Sequence, residues 1–422
     1  HSNCSVTFNG LELELLIRKL TQPFATHTEL LHVFLTTHTL FVAPDKLFDL
    51  LVLRFTSQPK NLTAAALASF KAHTRDALQT AVLHFIDVWV HFSSSHLLTT
   101  RTGPVICDWL GGISPSSEVA PEVAAIASDL AAKLTNSAQT PASVAGDRQL
   151  EHSASVARLS NFPDSILLTS KPISVLDVER VHALELARQL CLLDWAPLAR
   201  LQPRELLAQG WSKASAASNS PNVLALIERF NLVSEWAATE ILLSPTPQER
   251  AVKICLLVDV ATNCLALANF SSLMAIISAL ESAAISRLKF TFELVPEDYL
   301  MQFKVLKEVM SMNHNYLNYR DKLKATEPPA VPYMGVFLAD LVFIDDGNPD
   351  TLLRSSPLIN VEKHRMTTSV IDTILRCASV PYALYQVPPI QAYLLRDNLP
   401  RLDENQQYKR SLALEPRSAT AI

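Results

Sequence analysis

Apolar residues recur at helical spacing through most of this chain. Near the start, Leu11, Leu15, Ile17 and Leu20 form one amphipathic run, and Leu30, Leu31, Phe34 and Leu35 form a second. Pro44-Asp45-Lys46 opens a third, with Leu47, Leu50, Leu51 and Phe55 on one face. A further helical pair is predicted over Asn61–Val90, ending in Phe85-Ile86-Asp87-Val88-Trp89. From Ser93 to about Asn161 the periodicity gives way to Ser, Ala and Pro, apart from an Ala-rich stretch that predicts one helix over Glu118–Leu134. Helical patterning resumes at Ile166. It runs through His182–Leu190, then a helix opened by Ser220-Pro221 that carries Leu224, Ile227, Leu232 and Trp236. Gln248-Glu249-Arg250 starts the next run, through Leu265, and Leu267–Leu280 follows. The pattern predicts an all-α chain in three segments: a helical N-terminal module (1–92), a linker with an embedded helix (93–165) and a larger helical domain (166–422).

One stretch, Pro332 to Asp350, has a marked start and stop. Met334, Phe337, Leu338 and Leu341 fall at the i, i+3, i+4, i+7 spacing of a buried stripe. Pro332 precedes the run, Gly347 stands where a left-handed C-terminal cap is expected, and Pro349 prevents continuation. Two features do not fit a plain core helix. Ala339, Val342 and Asp346 form a second line, and Asp345 and Asp346 occupy the last turn, where the helix dipole disfavours carboxylates. A second helical run covers Val361 to Ala378.

Composition narrows the function classes. A chain of 422 residues is long enough to bury more than one core, and 49% hydrophobic against 18% charged residues is the balance of a folded protein. The formal net charge of −5 argues against a dedicated nucleic-acid binder. Neither a dinucleotide fingerprint nor a phosphate-binding P-loop occurs, so neither nucleotide-binding route is expected. The six cysteines form no C-x-x-C pair and read as reduced thiols of a cytosolic protein. His27, His32 and His38 lie close in sequence, but no carboxylate completes a ligand set, so no metal and no cofactor are expected. No apolar run reaches the length of a membrane span, and no signal peptide is visible.

The Pro328–Gly335 lead into Leu338-Ala339-Asp340-Leu341, followed by the Val361–Ala378 run, resembles the helical hairpin of the Cdc25-homology domain of Ras-family guanine nucleotide exchange factors. Other blocks agree in order: Glu185–Leu190, Gln202–Leu207 with Trp211, Ser220–Leu224, Leu267–Leu280, and Tyr408–Arg417. Gly10-Leu11-Glu12, Phe34–His38, Leu47–Phe55 and Asp87–Val90 are similar to the Ras exchanger motif that precedes such domains.

The resemblance implies a protein that makes and breaks no covalent bond. It would bind a Ras-like small GTPase of Ras, Rap or Ral type and lower its affinity for GDP. The implied setting is cytoplasmic, at the inner face of a membrane reached through the lipidated GTPase. On the hairpin, the apolar wedge role falls on Val342, the acidic role on Asp346, and the place of a family hydroxyl on Ala339. An apolar pocket for the GTPase is implied at Ile227, Ala261, Ala268, Tyr316 and Tyr333, with Glu228, Asn269 and Leu338 as further partner-binding positions. Asp346 is one methylene shorter than the usual Glu, and Ala268 and Ala339 replace polar residues. A non-catalytic GTPase-binding scaffold with a degenerate exchanger fold is the alternative. The discriminating feature is an apolar and an acidic residue at the wedge positions, and both are present.

Overall fold

A computed structural model describes residues 10–23, 28–57, 63, 70, 74–97, 101–116, 118–139, 181–353, 356–395 and 400–416. Among them the chain is almost wholly helical, in line with the all-α expectation. It divides into two compact units: residues 1–146 with 341–369, and residues 147–340 with 370–422.

The first unit contains α1 (Leu13–Leu20), α2 (Thr28–Thr37), α3 (Pro44–Thr56), α4 (Arg75–Leu97), α5 (Thr102–Gly111) and α6 (Pro121–Gln139). Their apolar faces share one core, with Phe34, Leu47, Leu51, Leu83, Ile86 and Trp89 fully enclosed. Ile106 and Leu110 of α5, and Val123, Ala127, Leu130 and Leu134 of α6, join the same core. α5 and α6 therefore pack with the helices of the N-terminal module, and the helix expected over Glu118–Leu134 corresponds to α6, whose Ala127 lies in that core. Residues 140–180, with the expected domain start at 166, lie outside the described residues, as do most of residues 58–73 and His27.

The second unit is built on α7 (Ala183–Arg200), α8 (Pro221–Leu243), α9 (Pro247–Ala266) and α10 (Phe270–Glu281), which pack on one another. A buried carboxylate ties three of them. Asp194 of α7 accepts from Arg229 Nε of α8 (3.0 Å) and from Asn269 Nδ2 (3.0 Å) and Ser272 Oγ at the start of α10. α11 (Glu297–Val309) and α12 (Asn313–Lys324) follow, and α15 (Pro388–Leu394) and α16 (Glu404–Leu414) close the chain.

Between α12 and α15 lies the helical hairpin: α13 (Met334–Gly347), two short strands β2 (Thr351–Leu353) and β3 (Ser356–Asn360), and α14 (Val361–Cys377). β3 pairs antiparallel with β2, and with β1 (Gly10–Leu11) in the register Gly10↔Asn360. Gly347 ends α13 without the expected left-handed cap, since no described glycine has positive φ. Asn348 Nδ2 donates to Ile344 O (3.0 Å) instead, so a side chain satisfies a terminal carbonyl.

Candidate functional site

α13 is fixed at its start. Val331 N donates to Ala268 O (2.9 Å), Phe270 N donates to Val331 O (2.9 Å), and Tyr333 N donates to the buried Tyr319 hydroxyl (2.8 Å). Met334, Phe337, Leu338 and Leu341 are buried, as the stripe predicts. The second line faces outward: Ala339 and Asp346 are exposed and Val342 is half-buried. Phe343, which the sequence reading passed over, is 74% exposed on this side. The signal that marks it is its phase, about 180° round the helix from the buried stripe at 100° per residue.

The far end of α13 is fixed by a lysine. Lys363 Nζ is buried and reaches Asp345 (2.8 Å) and Asp350 (2.6 Å). Burial works against its charge, but the hydrogen bonds it donates to Asp345 and Asp350 more than offset this and hold its pKa above the usual lysine value. Asn360 caps α14 by accepting from Lys363 N (3.2 Å), while its Nδ2 donates to Pro349 O (2.9 Å). Asp345 thus has the role that offsets its unfavourable place on the helix dipole.

The second unit carries an aromatic surface. Tyr333 lies 5.3 Å, ring centre to ring centre, from Phe230 of α8 and 6.1 Å from Tyr316. Ile227 is one turn before Phe230, and all four side chains are half-buried. Gly335 makes room for this arrangement: a Cβ there would stand 2.5 Å from the Tyr333 hydroxyl. Tyr316 is held by an unusual backbone. His314, Asn315 and Tyr316 all have left-handed φ, at 50°, 57° and 60°. Each costs about 1–2 kcal/mol in that conformation. Arg320 compensates, donating from Nε to Asn315 O (2.8 Å) and in a fork to Asp340 (2.7 and 2.9 Å).

Other expected partner-binding residues lie deeper. Ala261 and Ala268 are buried, Asn269 is fully enclosed, and Leu338 belongs to the buried stripe. Asn269 accepts from Ser272 N (3.0 Å) and donates to Asp194, so its side chain is committed to the fold. These four lie beneath the half-buried aromatic surface in the structure of the free chain. Glu228 is exposed. Ala268 has φ of 61°, a conformation that Asn tolerates better than Ala.

The RasGEF domain family matches residues 185–365, and the RasGEF N-terminal motif matches residues 7–105. The chain belongs to the RasGEF family. The RasGEF domain match takes in α7 through the beginning of α14, and the N-terminal match runs into α5, beyond the boundary expected at residue 92. Ras guanine nucleotide exchange factor K of Dictyostelium discoideum is 39% identical over 56% of this chain and 15% of its own length. Factor A of the same organism is 36% identical over 59% of this chain and 42% of its own length. Ras guanine nucleotide exchange factor efc25 of Schizosaccharomyces pombe is 29% identical over 97% of this chain and 40% of its own length. The chain thus spans less than half the length of each of these RasGEF relatives.

Proposed function

We propose that this chain is a guanine nucleotide exchange factor for a Ras-like small GTPase, and that the outward face of α13 opens the nucleotide site. The observation that carries the reading is the outward line of exposed Ala339, half-buried Val342 and exposed Asp346 on a helix whose opposite face is locked in the core. An apolar side chain pressed into a phosphate and metal site displaces water and cation, and a carboxylate competes with phosphate for the same donors. The aromatic surface of Ile227, Phe230, Tyr316 and Tyr333 supplies the anchor, as half-buried aromatics do at interfaces. Binding of exchange factor and of nucleotide are then negatively coupled, and the coupling is reciprocal. Weakening nucleotide ~10⁴-fold needs about 5.5 kcal/mol of preference for the nucleotide-free partner.

The reading places the action at the inner face of a membrane, through a lipidated partner. Among the described residues no helix is long and apolar enough to cross one.

The test is release of fluorescent GDP from Ras, Rap and Ral GTPases. The chain is expected to accelerate release from at least one. Val342→Glu and Asp346→Arg are each expected to slow it about tenfold or more without loss of fold, since both positions face outward. Tyr333→Ala is expected to weaken capture of the nucleotide-free GTPase. Unchanged exchange in both α13 variants would remove the wedge mechanism. Capture without accelerated release would leave a non-catalytic binding module.

A further inference from the structure

We propose that Phe343 is a further contact residue of this exchange surface and selects among GTPases, a deepening that rests on the reading above. Successive residues of a helix turn by about 100°. The buried residues Met334, Phe337, Leu338 and Leu341 define the inward direction of α13, and Phe343 points almost directly away from it. Ala339, Val342, Phe343 and Asp346 therefore form one i, i+3, i+4, i+7 patch. Val342 and Phe343 form its two flanks, about 100° apart, with Ala339 and Asp346 between them. A partner that covers the patch from flank to flank meets the ring.

The side chain has no role in the fold that accounts for it. At 74% exposure it is, among the described residues, the second most exposed large hydrophobic side chain after Tyr385, while every apolar residue of the inward stripe is covered. Its neighbour one turn earlier, Ala339, is the smallest side chain that keeps the helix strong, so a partner backbone can approach the ring closely. The patch is consequently more apolar than the sequence line Ala339, Val342, Asp346 suggests. The occupant it fits is the nucleotide-flanking segment of a GTPase that offers an apolar side chain opposite position 343. A charged side chain there would lose its water without a partner. The ring thus adds affinity for one class of GTPase and penalises another.

The experiment measures GDP release from Ras, Rap and Ral GTPases, each loaded with fluorescent GDP, against concentration of the full chain. Phe343→Ala is expected to raise KM about tenfold or more on the preferred GTPase, the usual effect of truncating an interface aromatic. Phe343→Lys is expected to raise it further and to change the rank order of the three substrates. Phe343→Leu should recover most of the loss. Melting temperatures should match the unmodified chain, and Val305→Ala, an exposed apolar change on α11, should leave exchange unaltered. If the unmodified chain is active and Phe343→Ala and Phe343→Lys match it on all three substrates, this inference is wrong and the exchange reading stands. A loss of rate accompanied by a fall in melting temperature also overturns it, because the ring would then be structural. If the unmodified chain accelerates none of the three, the exchange reading fails and this inference falls with it.

Discussion

Mild acid will loosen the distal part of the hairpin, and one histidine will account for most of the effect. His364, on the first turn of α14, is only 2% exposed and packs its ring 5.0 Å from that of Phe41. Neither ring nitrogen has a hydrogen-bond partner. Burial pushes its pKa from 6.5 down to about 4; Asp350 and Asp345 oppose the shift and Lys363 reinforces it. The folded pKa lies below the unfolded one, so the opened state takes up a proton first. His364 therefore contributes stability above pH 6.5 that is lost as pH falls toward 4. With these two values the loss is about 2 kcal/mol between pH 7 and pH 5, approaching about 3 kcal/mol at lower pH. The assay is hydrogen exchange of the amides over 356–369 at pH 7 and pH 5, corrected for intrinsic rate, in the unmodified chain and in His364→Leu. The leucine variant should lose about 2 kcal/mol less protection on acidification than the unmodified chain. An equal loss in both would refute the assignment and move the pH sensitivity to another group.

Two further perturbations probe the supports of α13. Lys363→Met removes the cation shared by Asp345 and Asp350, both of which reach water, so the expected cost is about 1–2 kcal/mol, below the 3–5 kcal/mol of a fully buried pair. Exchange protection should fall over 344–363 and stay unchanged in α8; uniform protection would count against the lysine as a local lock. Arg320→Ala removes the fork to Asp340 and the bond to Asn315 O, about 1.5–3 kcal/mol of charge-assisted hydrogen bonding. The left-handed turn should relax, Tyr316 should leave Tyr333, and affinity for nucleotide-free GTPase should drop, with Arg320→Lys recovering little because an ammonium cannot fork. Unaltered affinity in Arg320→Ala would show that the turn does not position Tyr316.

Local signals were legible and distant ones were not. The stripe of Met334, Phe337, Leu338 and Leu341 located α13, and the run from Val361 located α14, because helical periodicity is written in adjacent turns. Ser220 before Pro221 marked the start of α8, yet its hydroxyl donates to Glu205 O (2.8 Å), and the first-turn amide of Asn222 donates to the Glu205 carboxylate (2.7 Å). That cap comes from earlier in the chain, beyond any capping rule read locally. The strand pairing of Gly10 with Asn360 is equally invisible, since two residues of β1 carry no alternation to detect. The three left-handed residues are hidden for another reason: His and Asn tolerate that region, but Tyr316 does not advertise it. Asn269 is drawn inside by its bonds to Asp194 and Ser272, and Ala261 and Ala268 are buried with it; spacing alone could not separate a surface from the layer beneath it.

These supports have a common mechanical sense. In the proposed mechanism α13 delivers several kcal/mol of preference for an opened partner, and a helix that frayed or tilted would give that energy back. α13 is held at its first turn by backbone bonds to Val331 and by Tyr319, along one side by the Arg320–Asp340 fork, and at its last turn by Lys363. β1 pairs with β3 and Phe41 meets His364, so the N-terminal helices brace the same distal segment. The outward side carries the exposed Ala339, Phe343 and Asp346, with Val342 half-buried beside them. Support at both ends and along one side, with an exposed face left over, is the arrangement the proposed lever needs. It also explains why strain is tolerated at residues 314–316: relaxing that turn would release Arg320, and with it the restraint at Asp340 from which the outward face projects.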